Sequence, residues 1–459
     1  MLEKGQVYEM TVEDLSNEGQ GIGKIEGMTV FADDAVVGDR IAVEITKVKK
    51  TYAFGQLKKI ITPSAERTEA LCRYAGECGG CSLQNMSYEG QLKLKKKMVA
   101  DKLLRIGGIE NPRVHDTIGM DDPWRYRNKA QFPVSSSSIG FYKVKSHEIV
   151  NCGQCLIQAV PAEKIAGALR EFMKSDHITA YDEKTGKGLI RHLIVKTAFQ
   201  TGEVMAILVI NGKGIPNSEK LVYMMDDAIN EFAPYSLESV VLNINKKKTS
   251  EIMGEEYITL AGKPTILEQA GRLSFEISPM SFYQVNPVQM VKLYEKALEY
   301  AGLTGEETLL DLYCGVGTIG LYCASKAKRV IGVESVKATV LDANRNAVIN
   351  GIVNAEFICG RSEEELPKLL EKGIRADVVI LDPPRAGCDT KLLEAVAEAN
   401  PKRIVYVSCD PATLARDIKI LCEKGYRFAE AQPVDMFPHT GHVECVVLMS
   451  KVKKNKTEK

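Results

Sequence analysis

The sequence predicts a multidomain α/β protein in three parts: a small N-terminal β-barrel, a central α+β region and a C-terminal doubly wound domain. Three observations carry this. Short strand-like runs broken by glycine turns fill the first sixty residues, and strand-like and helix-like pieces alternate from 120 to 265. From residue 305 onward, a glycine-rich turn follows a strand and opens a helix. The length of 459 residues suits about three domains at roughly 150 residues each.

For the barrel, QVYEMTVEDL, GIGKIEG, MTVFADD, DRIAVEITKVKK and TYAFGQLKKII read as strands, with turns expected at Gly19-Gln20-Gly21, Gly23 and Gly38-Asp39. Five short strands in this length suit a small closed barrel of the oligonucleotide-binding sort over residues 1–62. Eight Lys and Arg face ten Asp and Glu over residues 1–60, so charge alone does not make this part an RNA binder.

The whole chain balances 60 basic against 60 acidic residues, which excludes a uniformly basic nucleic-acid coat but not a local basic face. With 45% hydrophobic and 26% charged residues, the composition is that of a globular protein. No apolar run approaches the roughly 20 residues that span a bilayer, and the first residues hold no apolar leader segment. A cytoplasmic monomer with no membrane association is expected. Twelve cysteines in such a chain suit metal binding or catalysis better than a disulfide framework. Cys323, Cys359 and Cys422, among small or apolar neighbours, are expected to serve packing.

In the central region, apolar positions Leu92, Met98, Val99, Leu103 and Ile106, closed by Gly107-Gly108, predict an amphipathic helix from Tyr88 to Ile106. Its other face carries Lys93, Lys95, Lys96, Lys97, Lys102 and Arg105, either a phosphate-facing stripe or a solvated basic face. The segment WRYRNKAQFPV interleaves Arg125, Arg127 and Lys129 with Trp124, Tyr126 and Phe132, a pattern that suits single-stranded RNA or an ordinary strand edge. The central domain is expected over 63–92 and 125–265, and the C-terminal domain over 93–124 and 266–459, with a disordered tail after Ser450.

In the C-terminal domain, the strand ETLLDLYC runs into Gly315-Val316-Gly317-Thr318-Ile319-Gly320, and the next strand ends at Glu334, nineteen residues after Gly315. The glycines let backbone approach a ligand, and the acid can accept bonds from ribose hydroxyls. Nicotinamide or S-adenosyl-L-methionine could each use this arrangement. The acid Asp311 just ahead of the turn, Asp382 at the end of the strand DVVILDPPR, and the stiff Pro383-Pro384 favour the methyl donor.

Cys409 closes the strand RIVYVSCDP on the edge that carries Asp382. Near the end, VDMFPHTGHVECVVLM brings His439, His442 and Glu444 to the opening of a final apolar strand, where a carboxylate needs a partner or a task. Upstream, Cys72, Cys78 and Cys81 need a fourth ligand, and Cys152 and Cys155 offer one. Zinc and an iron–sulfur cluster fit these thiols equally well on spacing.

DPPRAG from Asp382, YVSCDPAT around Cys409, VDMFPHTGHVE ending at Glu444, and SFYQVNP with Gln284 resemble the signatures of RNA uridine C5-methyltransferases, in the expected order. The N-terminal part resembles a TRAM domain, the C-terminal part a Rossmann-like class I methyltransferase. Cys72-x5-Cys78-Gly-Gly-Cys81 resembles the family's iron–sulfur branch, so the likeness is to bacterial 23S rRNA uracil-5-methyltransferases. One departure is Asp410, where that family usually has Asn.

The resemblance implies that Cys409 adds to uracil C6 and that Glu444 removes the C5 proton after methylation. It implies S-adenosyl-L-methionine on Gln284, Tyr313, Glu334 and Asp382, to which the glycine turn adds Gly315; Phe282, close to Gln284 in sequence, is the candidate for base stacking, and the basic–aromatic pattern offers Arg125, Arg127 and Lys129 as candidate RNA contacts. It also implies a [4Fe-4S] cluster on Cys72, Cys78, Cys81 and Cys155, with Cys152 spare and zinc as the alternative. The two histidines are expected to shape the site rather than titrate in it. The substrate is expected to be 23S rRNA, with tRNA second. Two other classes stay open: an amino-group methyltransferase, which would not need Cys409, and a non-catalytic RNA-binding assembly factor.

Overall fold

The computed structural model describes residues 2–16 and 18–452. Six strands form the N-terminal sheet: β1 (Val7–Thr11), β2 (Asp14–Leu15), β3 (Gly21–Ile25), β4 (Met28–Ala32), β5 (Arg40–Val48) and β6 (Tyr52–Thr62), in the order β1-β5-β6-β4-β3-β2. Alternate residues point inward, so Val30, Ile41, Val43 and Ile45 are fully buried. Gly23 is not the expected turn but lies inside β3. A Cβ there would sit 2.4 Å from the Thr11 carbonyl oxygen, so the glycine marks close backbone approach. Asp39 ties the sheet to the following segment by accepting from the backbone N–H groups of Val36 and Ser64 and from the Arg67 side chain.

Helix α1 (Tyr88–Arg105) starts at Ser87, whose hydroxyl caps the Gly90 N–H. It is one continuous helix, so the expected domain boundary between residues 92 and 93 falls inside it. Its lysines are not a free stripe: Lys93 pairs with Glu66, Lys96 with Asp116, and Lys97 with Asp14 and Asp101, while Lys95 is buried.

The central elements are β7 (Lys129–Pro133), β8 (Phe141–Tyr142), β9 (Ile149–Val150), α2 (Val160–Ser175), β10 (Ile190–Thr197), β11 (Glu203–Ile210), α3 (Ser218–Asn230), β12 (Ser236–Ile244) and β13 (Glu256–Gly262). Five of them form a mixed sheet, β13-β12-β11-β10-β7. One face packs Leu193, Val195 and Leu208 on Leu169, Phe172 and Met225 of α2 and α3. The other face packs Ile194, Met205 and Ile207 on the hairpin β14 (Ile266–Ala270) and β15 (Leu273–Ile277) and on α4 (Pro287–Ala301). Every residue of β10 is therefore buried, as a sheet covered on both faces requires.

The remaining elements alternate: β16 (Thr308–Leu312), α5 (Thr318–Ala324), β17 (Arg329–Glu334), α6 (Lys337–Ile349), β18 (Ala355–Cys359), α7 (Ser362–Glu371), β19 (Val378–Leu381), α8 (Thr390–Ala399), β20 (Arg403–Ser408), α9 (Pro411–Glu423), β21 (Tyr426–Val434) and β22 (Glu444–Lys451). The sheet order is β18-β17-β16-β19-β20-β22-β21, parallel except for β22, which runs antiparallel to both neighbours. The order reverses between β16 and β19, which opens a ligand crevice at their carboxyl ends. Helix α1 packs Val99 and Leu103 into the core of this sheet beside Leu414 and Ile418 of α9. Cys323 is buried as expected, but Cys359 is exposed, because β18 is the edge strand. Of the tail expected to be disordered, Lys451 closes β22, and residues 453–459 lie outside the described residues.

Candidate active site

The crevice is built first by backbone. After β16 the chain turns through Tyr313 and Gly315, both at positive φ, and Gly317 caps α5 in the left-handed region. A Cβ on Gly317 would meet the Phe357 ring at 2.8 Å, so no larger residue fits this turn. Glu334, at the end of β17, accepts the N–H of Gly315 (3.2 Å) and of Val336 (2.9 Å), which fixes the turn against the neighbouring strand. Beside it lies a cavity of about 360 Å³ bordered by Tyr313, Ser335, Ser362, Asp389 and Arg416.

Carboxylates collect at the switch point. Asp311 is buried; one oxygen accepts from Gly320 N–H at 2.8 Å, and the other has no hydrogen-bond partner. Burial, then the nearby Glu334, pushes its carboxyl up to about 7. Asp382 follows β19 and is pushed up to about 7 by burial and by Asp311. Glu444 is buried and pushed up to about 8 by burial and by Asp382, with Arg385 pulling the other way. Three carboxyls that resist ionisation together make a well that favours a cation.

Cys409 stands in this well. Ser408 pairs with Cys445 across β20 and β22, so the next residues outward, Cys409 and Glu444, lie side by side. Burial, then Glu444, raises the Cys409 thiol to about 11, against the pull of Arg385. Sequence reasoning gave Arg385 no role. The loop that carries it is fixed from α9: Thr413 donates to the Arg385 carbonyl (3.1 Å) and Arg416 to the Ala386 carbonyl (3.0 Å). The departure at Asp410 is explained by capping, since its side chain accepts from Ala412 and Thr413 N–H at 2.8 and 3.0 Å. Asn caps a helix equally well.

The loop from Asp435 to Val443 delivers Glu444, and it is pinned from distant parts of the chain. Lys95, buried on α1, donates to Asp435 at 2.5 Å and to the Phe437 carbonyl at 3.0 Å. Asn286, which caps α4, and Gln289 in its first turn hold the carbonyls of Met436 and Asp435. Tyr126 donates to the Pro438 carbonyl at 3.0 Å. His439, at positive φ, stacks on Trp124 with ring centroids 3.8 Å apart, and its carbonyl accepts from Ser82 and Leu83. Burial, then Lys95, pulls its imidazole down to about 4, so His439 is neutral and structural.

The basic–aromatic segment is therefore not an open stacking face. Tyr126 and Phe132 are buried, Trp124 is taken by His439, and Arg125 binds the Cys155 and Gln158 carbonyls and Glu163. Burial holds Lys129 below its usual value, and Arg127 alone of the three faces a cavity of about 400 Å³. Phe282 is 64% exposed between buried Ser281 and Tyr283. Gln284 is buried, its carbonyl accepting from Asn128 at 3.0 Å.

Cys72, Cys78, Cys81, Cys152 and Cys155 all line the same cavity as Arg127, together with Arg385, Thr440 and His442. Cys155 is the acidic thiol of the group: a hydrogen bond from Cys152 leads the causes that bring it down to about 7, while burial raises Cys81 to about 12. The expected ligand set is not closed into a metal centre. Among the described residues no group of three or more His, Cys, Asp or Glu side chains is gathered to hold a metal ion. The thiols are instead engaged in hydrogen bonds, Cys78 with Gly80 N–H and Cys152 with the Gln154 carbonyl and Cys155.

Comparison with known proteins agrees with this geometry. The family model described as tRNA (uracil-5-)-methyltransferase matches residues 236–452, and the TRAM domain model matches residues 2–58. An RNA methyltransferase of Caldanaerobacter subterraneus is 50% identical over 98% of this chain and 99% of its own. One of Clostridium acetobutylicum is 48% identical over 99% of both. The chain belongs to the RNA uracil-5-methyltransferase family. It is an S-adenosyl-L-methionine-dependent enzyme with a TRAM domain and a Rossmann-like methyltransferase fold. The crystal structure of Pyrococcus abyssi tRNA (uracil-54, C5)-methyltransferase with S-adenosyl-L-homocysteine superposes with a TM-score of 0.77 at 30% identity, covering 96% of this chain and all of that one. The likeness thus includes the N-terminal sheet. The crevice of this methyltransferase fits the cationic donor: the unpaired Asp311 oxygen and the carboxyl well complement a sulfonium. Among the described residues no helix is long and apolar enough to cross a membrane.

Two predictions follow from the loop and the well. Lys95→Ala leaves Asp435 buried without its cation and is expected to cost about 3–5 kcal/mol, read as a lower urea midpoint; an unchanged midpoint would show that the pair does not hold the loop. Glu444 titrates at about 8 in the folded chain against its ordinary 4.5, so between these values the folded state holds the extra proton. Its contribution to stability therefore falls as pH rises through that window. Glu444→Gln removes the penalty: its urea midpoint is expected to gain on the wild type between about pH 5 and about pH 9, and a constant difference would refute the assignment.

Proposed function

We propose that this methyltransferase acts on C5 of a uridine in RNA by a covalent route, with Cys409 as nucleophile and Glu444 as base. The observation that carries the reading is the side-by-side placement of Cys409 and Glu444 at the switch-point edge, beside Asp382. Uracil C5 is a weak nucleophile. Addition of the Cys409 sulfur to C6 makes C5 enolate-like, splitting one hard step into easier ones. S-adenosyl-L-methionine supplies the electrophilic methyl group when bound. Glu444, poised near neutrality, then takes the C5 proton, and elimination frees Cys409.

At rest the carboxyl well keeps the thiol protonated; Arg385, and any cation entering the well, favours the thiolate. Gln284, Tyr313, Gly315, Glu334 and Asp382 are the residues we assign to the donor. The target base must leave its stack to reach Cys409, and the exposed Phe282, held between buried neighbours, offers it a face. Arg127 is placed better than Arg125 or Lys129 to meet phosphate.

We keep the [4Fe-4S] reading on Cys72, Cys78, Cys81 and Cys155, whose thiols line one cavity, on the likeness of their spacing, with zinc as the alternative. Uridine methylation transfers no electron, so the cluster's role is structural or RNA-organising. We place the enzyme in the cytoplasm as a monomer. For its substrate we propose 23S rRNA, on the ordered motifs and cysteine spacing. The likeness to the Pyrococcus abyssi tRNA enzyme favours tRNA as the second reading.

The test is tritium release from C5-labelled uridine in unmodified 23S rRNA and in tRNA, with S-adenosyl-L-methionine and wild-type or Cys409→Ala protein. Release from 23S rRNA by the wild type alone is expected. Release from tRNA alone would move the substrate to the second reading. Methyl incorporation without release would sink C5 chemistry and favour amino-group methylation. Iron and sulfide analysis of the anaerobically purified protein is expected to find iron rather than zinc, and zinc would overturn the cluster.

A further inference from the structure

A cavity of about 480 Å³ at one end of the central sheet has no part in the chemistry above. Its walls combine aromatic rings with cations. Tyr181 carries the Arg191 guanidinium over its ring at 4.5 Å, and Tyr142 meets His147 with centroids 5.5 Å apart. Lys248 lines it as well. The platform is rigid: buried Arg191 donates to the Asn245 and Lys247 carbonyls, both at 2.8 Å, which fixes the lysine-bearing loop to β10.

Inside this cavity polar groups are left over. His192 lines it, is buried, and has an Nδ1 without a hydrogen-bond partner. The carboxylates of Glu183 and Glu251 also face it. A buried imidazole nitrogen without a partner is costly unless something pairs with it. Rings for stacking, a lysine for phosphate, and a neutral imidazole with acceptors for exocyclic amino groups together describe a site for one nucleobase of a single strand.

The cavity is also connected to the active site. Tyr142 borders it on one side and, on the other, a groove of about 540 Å³ with Lys143 and Lys145 along its wall. That groove ends at Thr440, Gly441 and His442, in the loop that delivers Glu444. We propose that the Tyr142–Tyr181–Lys248 cavity is a second nucleobase pocket, which receives an unpaired base of the RNA strand flanking the target uridine. The inference rests on the RNA substrate of the proposed function and adds how the strand is gripped away from the reacting base. A strand held at two bases is positioned before chemistry, so the pocket acts on binding and on choice of RNA rather than on the rate at saturation.

The test uses fluorescently labelled single-stranded RNAs of one series, lengthened nucleotide by nucleotide on each side of a uridine, titrated without methyl donor. With wild-type protein the affinity is expected to step up at one flank length. Tyr181→Ala and Lys248→Ala should each remove that step, weakening the longer RNAs about tenfold and leaving the shorter ones unchanged. Tyr181→Phe should retain it, and Tyr223→Ala, an exposed tyrosine on α3 away from the cavity, should change nothing. Cross-linking of a photoreactive base at the step position is expected to mark Tyr142 or Tyr181. No step in the wild type, or a step that survives both alanine variants, would overturn the proposal. Length-dependent binding with no methylation of any RNA would instead sink the proposed chemistry and leave the pocket standing.

Discussion

The buried ion pair between Lys95 and Asp435 is the constraint on which the active site depends. Glu444, which we propose as the base, is the first residue of β22, and β22 begins where the preceding loop releases it. That loop has no regular structure of its own, yet α1, α4, Tyr126 and the Ser82–Leu83 backbone each hold one of its carbonyls or side chains. A buried pair is a poor source of net stability but a stringent one of geometry, because each charge is costly without the other. The same contacts bring α1, α4 and the segment around Ser82 to the end of the methyltransferase sheet.

Electrostatics then set what this point can bind. A doubly wound sheet gathers strand ends at its switch point, and here three of them end near carboxyls. Asp311, Asp382 and Glu444 cannot all ionise in a buried space, so each is raised, and Cys409 beside them is kept as a thiol. Such an arrangement favours a cation. Arg385 supplies part of that charge from the exposed side, where its loop is fixed by α9.

The local patterns were legible in the sequence: the strands of the first domain, the glycine turn after β16, and the strand ends that carry Asp382, Cys409 and Glu444. Each depends on neighbours within a few residues. What was not legible depends on partners far along the chain. Lys95 reads as one lysine in a solvated stripe because its partner Asp435 lies 340 residues away. Trp124 and Tyr126 read as RNA-stacking rings because nothing local shows that His439 and Pro438 take them. Gly23 reads as a turn because the Thr11 carbonyl that excludes a side chain belongs to another strand. His192 and Tyr181 carry no motif at all, and only the fold brings them to one cavity.

The central claim is that Cys409 bonds to uracil while Glu444 awaits the C5 proton. It is tested most directly with RNA carrying 5-fluorouridine at the target, since fluorine cannot leave as a proton does and the adduct cannot be released. Incubation with S-adenosyl-L-methionine should give a protein–RNA species stable to denaturation, and mass spectrometry should place the RNA and the added methyl group on Cys409. A methylated product released without any such species, or an adduct on another residue, would contradict the covalent mechanism.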